Sequence, residues 1–216
     1  MEAKFRNVCE IHGETDVYFN GKCIQCDLDE QENIKQQKML RLINDKKIKA
    51  NIPQRFFNVS IDSFSCENEA SKKIKAIIEE YDFKDNLLLF GKTGTGKTHL
   101  AIATLIKFIS QGGNGYYSKF YKIPSIQIQD RELYQSILKS KLLILDEFGA
   151  SATDYKSQLM FEIIDERYDN ELPTIFISNK TPNEVKELIT DATYSRIKEC
   201  CKTLTFTGQD YRKSKS

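Results

Sequence analysis

Apolar residues along this chain fall into two alternating kinds of run. Short unbroken runs bounded by polar residues or glycine read as buried strands: Leu87-Leu88-Leu89-Phe90, Leu142-Leu143-Ile144-Leu145 and Ile175-Phe176-Ile177. Gly115-Tyr116-Tyr117-Ser118 and Thr203-Leu204-Thr205-Phe206 read as further strands. Between them lie stretches of helical character at 67–81, 99–109, 130–139, 157–169, 183–191 (capped by Asn183) and 194–201. In 157–169, Leu159, Met160, Ile163 and Ile164 form the inward side. Strands alternating with helices predict an α/β fold with a parallel sheet covered on both faces. The alternation occupies residues 52–216, which we take as one domain.

The chain before residue 52 is patterned differently. A helical connector is predicted over 31–51, starting near 29 and ended by Pro53. Its apolar members, among them Ile34, Met39, Leu40, Leu42, Ile43 and Ile48, have irregular spacing. Lys35, Lys38, Arg41, Lys46, Lys47 and Lys49 make it basic, with Asp45 the one acid from Ile34 to Ala50. That is either a solvated helix face or a contact for nucleic acid or an acidic partner. Residues 1–30 form a third segment, with a short hairpin expected around Asp16 to Gly21.

Composition narrows the class. The 216 residues are 40% hydrophobic and 29% charged, with net charge +1, so overall charge carries no nucleic-acid footprint. No apolar stretch approaches the roughly 20 residues of a membrane span, and the first eight residues lack the apolar core of a secretion signal. We therefore expect a cytoplasmic protein, where thiols stay reduced. Its six cysteines then need an explanation other than disulfides. Cys9-x2-His12 and Cys23-x2-Cys26 supply it, because a two-residue gap lets both members of a pair bend onto one ion. Three thiolates and one imidazole leave no open position, which predicts a structural zinc (Zn2+) site. A redox Cys-x2-Cys pair would not account for Cys9 and His12.

Gly91-Lys92-Thr93-Gly94-Thr95-Gly96-Lys97-Thr98 follows the first long strand and opens a helix at His99. This is the phosphate-binding loop pattern G-x-x-x-x-G-K-[ST] in its proper context. Loop N–H groups and the positive helix end would face the phosphates, Lys97 would reach the outer ones, and Thr98 would place its hydroxyl on magnesium (Mg2+). A second strand ends in Asp146-Glu147. Asp146 suits the Mg2+ shell and Glu147 suits a general base for the attacking water, which turns a nucleotide binder into an expected ATPase. The strand at 173–178 ends at Asn179, placed to orient that water, since ligands in open parallel sheets sit at the carboxyl ends of strands.

With these residues in place, the chain resembles the DnaC/IstB-like branch of AAA+ ATPases, and within it the bacterial and phage loaders of the replicative helicase. The resemblance covers about 52–212. It rests on Ile52-Pro53-Gln54-Arg55-Phe56, on Gly96-Lys97-Thr98-His99-Leu100-Ala101, on Leu143-Ile144-Leu145-Asp146-Glu147-Phe148-Gly149, and on Ile164-Asp165-Glu166-Arg167-Tyr168 with the strand ending at Asn179. It implies that Phe56 packs near the adenine and that the fold is a P-loop sheet of AAA+ type. Ser195-Arg196-Ile197 resembles the box that supplies an arginine finger to a neighbouring subunit, so self-assembly through a shared ATP site is expected; Arg167 is the alternative finger. Gly208-Gln209-Asp210-Tyr211-Arg212 resembles a second sensor, with Arg212 reading the phosphates in cis. The resemblance implies an ATP-hydrolysing helicase loader that grips the helicase ring through residues 1–51, as zinc-bearing N-terminal modules occur in some loaders. The alternative is an IstB-like helper of a transposase. Single-stranded DNA would meet the segment 119–141 through Lys119, Tyr121, Lys122 and Arg131, or that segment, interrupted by Pro124, is a plain loop with one short helix.

Overall fold

The computed structural model describes residues 8–9, 11–14, 18–19, 22–149, 153–208 and 210. The chain divides into two compact units, residues 1–45 and 46–216. In the first unit, β1 (Val8–Cys9) pairs antiparallel with β2 (Gly13–Glu14), and β3 (Tyr18–Phe19) with β4 (Lys22–Cys23). Helix α1 (Ile24–Lys49) follows directly. It starts ahead of the expected position near 29 because its first turns are self-supporting. Asp27 lies at the positive end, Gln25 Nε2 donates to Asp29 Oδ1, and Gln31 Nε2 donates to Asp27 Oδ2, each at 2.8 Å. Its apolar residues Leu28, Ile34, Met39, Leu40, Leu42 and Ile48 are exposed, as their irregular spacing required. The last turn belongs to the second unit. Lys47 is buried there and donates to Phe57 O at 2.7 Å, so the division falls before the expected boundary at 52.

In the second unit, α2 (Glu69–Glu79) leads to β5 (Asn86–Gly91), α3 (Lys97–Ser110) and β6 (Gly115–Lys119). Then come α4 (Ile123–Gln129), α5 (Arg131–Leu138), β7 (Leu142–Asp146), α6 (Asp154–Asp169) and β8 (Thr174–Ser178). The chain continues through α7 (Pro182–Leu188), α8 (Asp191–Cys200) and β9 (Cys201–Phe206). The strands form one parallel sheet in the order β6-β7-β8-β5-β9. Successive residues of a strand enter opposite cores, as the pleat requires. Leu87, Leu89, Ile144, Ile175 and Ile177 pack with Ile78, Leu100 and Leu105 of α2 and α3. Leu88, Phe90, Leu143, Leu145 and Phe176 pack with Ile137, Met160, Ile163 and Ile197 on the other side. Both faces are covered, which is why the strands read as continuous apolar runs.

Two local expectations are corrected. Pro124 does not interrupt the segment after β6 but stands in the first turn of α4, where a missing N–H costs nothing. The cap of α7 is Thr181, not Asn183: Thr181 Oγ1 accepts from Glu184 N–H while the Glu184 carboxylate accepts from Thr181 N–H. No helix among the described residues is long and apolar enough to cross a membrane.

Candidate nucleotide site and metal centre

The glycine loop joins the carboxyl end of β5 to the amino end of α3. Gly96, at φ +88, is the residue before the helix, and a Cβ there would lie 2.6 Å from the Phe64 ring. Only glycine satisfies both the backbone conformation and that approach. Lys97 is buried, and its Nζ donates to Gly91 O at 2.6 Å and Lys92 O at 2.7 Å. Thr95 Oγ1 donates to Lys92 O at 2.8 Å, closing the loop on itself. The Asp210 carboxylate lies against Gly94, where a Cβ would collide with it.

The acids at the end of β7 meet this loop. Thr98 Oγ1 donates to Asp146 Oδ2 at 2.9 Å, and Tyr117 Oη donates to the same oxygen at 3.0 Å. Glu147 N–H donates to Asp146 Oδ1 at 2.8 Å. A hydroxyl and a fixed carboxylate side by side are hard oxygen donors of the kind magnesium takes. Glu147 stands at φ +59, a left-handed conformation that a non-glycine residue rarely adopts, and its Oε1 pairs with Lys119 Nζ at 2.6 Å. The Glu147 carboxylate raises the Lys119 pKa.

These groups open onto a cavity of about 840 Å³, within the range of small-molecule sites. Of the expected residues, Phe56, Thr93, Gly94, Gly96, Lys97, Thr98, His99, Asp146, Glu147 and Asn179 line it. Gly91 and Lys92 act from behind through their carbonyls. Ser63, Phe64 and Lys119 also line it and were not anticipated as parts of the site. Ser63 Oγ lies 2.9 Å from His99 Nε2, which fixes that ring at the start of α3. Residues 57–66 carry no periodic signal, so only the fold could place Ser63 and Phe64 here. Lys119, a candidate for contact with DNA, is set beside Glu147 by the register of β6 against β7, with Lys119 opposite Asp146.

The two candidate arginines differ sharply. Arg167 is 1% exposed; its Nε donates to Thr174 Oγ1 at 2.7 Å, and Nη1 and Nη2 donate to the carbonyls of Leu138 (2.6 Å), Ser140 (2.9 Å) and Pro173 (2.8 Å). Burial lowers its pKa to about 9. It ties the approaches to β7 and β8 together and has no reach to a neighbour, which removes it as the alternative finger. Arg196 does not line the cavity of its own chain. It is partly exposed on α8, paired with Asp165 at 2.9 Å and stacked 4.6 Å from the Tyr168 ring centre. Arg212 lies outside the described residues.

In the N-terminal unit, one donor atom from each of Cys9, His12, Cys23 and Cys26 lies within 4.8 Å of all the others. His12 Nδ1 is 3.7, 3.5 and 3.3 Å from the sulfurs of Cys9, Cys23 and Cys26, and Cys9 Sγ is 3.4 Å from Cys26 Sγ. Zinc bonds of about 2.0–2.3 Å at tetrahedral angles would set such donors about 3.5–3.8 Å apart, so the set fits the ion. Cys26 N–H donates to Cys23 Sγ, and the backbone N–H of His12, followed by that of Ile11, holds the Cys9 thiol down to about 6. Asp29, not anticipated as part of the centre, sits one turn past Cys26 on α1 and pairs with His12 Nε2 at 2.9 Å. That contact turns Nδ1 toward the sulfurs.

Comparison with known proteins agrees with this geometry. The family model described as IstB-like ATP binding protein matches residues 27–216. The ATP-binding protein of insertion sequence IS5376 from Geobacillus stearothermophilus is 29% identical over 148 residues, 63% of this chain and 59% of that protein. The replicative helicase loader DnaI of Bacillus subtilis (strain 168) is 30% identical over 112 residues, 48% of this chain and 36% of its own length. The crystal structure of the DnaC helicase loader superposes with a TM-score of 0.65 at 23% identity, covering 72% of this chain and all of that one. That likeness shows a shared fold, a parallel sheet carrying a phosphate loop. With residues 27–216 matched by the family model, this protein belongs to the IstB-like family of ATP-binding proteins.

Proposed function

We propose that this chain hydrolyses ATP and loads a replicative helicase ring onto DNA, with residues 1–51 as the arm that holds the ring. The observation that carries this reading is the pairing, in one chain, of a phosphate loop and acid pair with a four-ligand module joined to it by a single helix. Lys97 exchanges the carbonyls of Gly91 and Lys92 for the outer phosphate oxygens. Thr98 and Asp146 would hold magnesium, which would supply positive charge to neutralise the phosphate oxygens. Phe56 and His99 flank the nucleoside side of the cavity. Asn179 orients a water, Glu147 accepts its proton, the water oxygen bonds to the γ-phosphorus, and the bond to the ADP oxygen breaks. Arg196 of a neighbouring copy stabilises the charge that develops, and Arg212 reads the phosphates in cis. Tyr121, about half exposed, and Lys122 offer a ring and a cation to single-stranded DNA.

The test combines the purified full-length chain with a purified replicative helicase and a single-stranded DNA template. ATP-dependent deposition of helicase on DNA, lost in Lys97→Ala and in Cys23→Ser/Cys26→Ser, is the expected result. Absence of any helicase contact would overturn the loader reading. A second reading, an ATP-dependent helper of a transposase, is favoured by the likeness to insertion-sequence proteins. It predicts ATP-dependent stimulation of a cognate transposase in place of helicase binding.

A further inference from the structure

Among the described residues, strand β6 is an edge of the sheet, paired only with β7. Its outward main chain is nevertheless engaged at one residue. Tyr117 N–H donates to Ala50 O at 2.9 Å, and Asn51 Nδ2 donates to Tyr117 O at 2.9 Å. Ala50 and Asn51 are the two residues that follow α1, so the end of that helix brackets Tyr117 from both sides of its peptide unit. Asn51 stands at φ +56, a conformation that asparagine tolerates better than most residues. The side chain of the same Tyr117, 4% exposed, crosses to the neighbouring strand and puts its hydroxyl on Asp146 Oδ2.

Packing does not explain that hydroxyl. A phenylalanine ring would fill the same space, and a buried phenol needs a partner that a plain ring does not. The partner it has is the acid that also accepts from Thr98. Two hydroxyls on Oδ2 and the Glu147 N–H on Oδ1 leave the carboxylate no freedom to rotate.

The geometry points to Tyr117 as a positioning residue for Asp146, held in place by Ala50 and Asn51 at the end of the helix that comes from the N-terminal unit. This rests on the reading of Asp146 as the magnesium-side acid. It makes the end of α1 and the metal-side acid parts of one hydrogen-bonded chain, Asn51 to Tyr117 to Asp146.

The probe is Mn2+ in place of Mg2+, titrated into the full-length chain saturated with a non-hydrolysable ATP analogue and followed by the electron paramagnetic resonance signal of free Mn2+. Tyr117→Phe should bind Mn2+ about tenfold more weakly, the usual effect of losing a group that orients a metal ligand. Asn51→Gly keeps the positive φ and loses the amide; it should shift Mn2+ affinity in the same direction by less. Affinity for the analogue in EDTA should match wild type in both variants. Unchanged Mn2+ affinity in Tyr117→Phe overturns the inference. So does a loss of analogue affinity in EDTA, which would make Tyr117 a prop for the loop. Asp146→Asn separates the two levels: if it binds Mn2+ like wild type, the reading of Asp146 itself fails and the inference fails with it.

Discussion

Lys119 Nζ donates to Glu147 Oε1 at 2.6 Å, joining the last residue of β6 to the acid just past the end of β7. The Lys119 ammonium also lies 5.6 Å from the centre of the Tyr121 ring. A carboxylate held by an ammonium is a poorer acceptor for a proton from water. On the proposed reading of Glu147 as general base, this pair would restrain it and would have to open before it accepts a proton.

Replacing Lys119 by methionine keeps the length of the side chain and removes the restraint. Basal ATP turnover should rise about three- to tenfold, the equivalent of one net hydrogen bond. Phosphate release at saturating ATP measures this, with ATP affinity unchanged. A fall in turnover would assign Lys119 to orienting Glu147 rather than holding it back. Glu147→Gln should bind ATP normally and lose turnover by about a hundredfold or more.

The Cys/His cluster should carry one zinc ion per chain. About 30 residues cannot bury enough apolar surface to fold unaided, so the segment 1–30 should lose its fold when metal is withdrawn. Elemental analysis of protein purified without chelator, and of Cys23→Ser/Cys26→Ser, checks the content; full zinc in the double variant would reject the site. Asp29→Ala removes the partner of His12 Nε2 and should weaken zinc about tenfold, read by competition with a chromophoric chelator.

The two arginines should fail in different assays. Arg167→Met leaves the carbonyls of Leu138, Ser140 and Pro173 without their donor and should cost about 3 kcal/mol in urea unfolding. Arg196→Ala should fold normally and lose turnover. Mixed with Glu147→Gln chains it should regain part of the activity, because an intact acid on one chain can meet an intact arginine on the other. Co-assembly without any regain would show that Arg196 does not act in trans.

Asp210 places a carboxylate against a loop built to receive anions. Asp210→Asn keeps the shape and removes the charge, so ATP should bind about fivefold more tightly, the worth of one nearby charge in high dielectric. Fluorescence titration with a labelled nucleotide at low and moderate salt reads the change. An affinity independent of this substitution would place the carboxylate off the path of the phosphates.

Much of this molecule was legible before folding was considered. Runs such as Leu87-Leu88-Leu89-Phe90 announce a strand buried on both faces because nothing polar interrupts them. The glycine loop announces itself because only glycine fits its turns. Cys9, His12, Cys23 and Cys26 were readable from spacing, since two intervening residues set the bite of each pair. All of these are local: the chemistry is contained within a few consecutive residues.

What the sequence could not assign depends on register and on contacts between distant segments. Lys119 and Tyr117 belong to the acid pair only because β6 lies beside β7 with Lys119 opposite Asp146. Arg167 looked as free as Arg196 in the sequence, and only burial against the carbonyls of Leu138, Ser140 and Pro173 separates a structural arginine from an available one. Phe64 lies on Gly96 across a gap in sequence that no periodicity spans. Strand, loop and ligand pair are written in neighbouring residues, whereas the partner of each charged group is chosen by which strands end side by side, and that choice is made by the packing of the whole sheet.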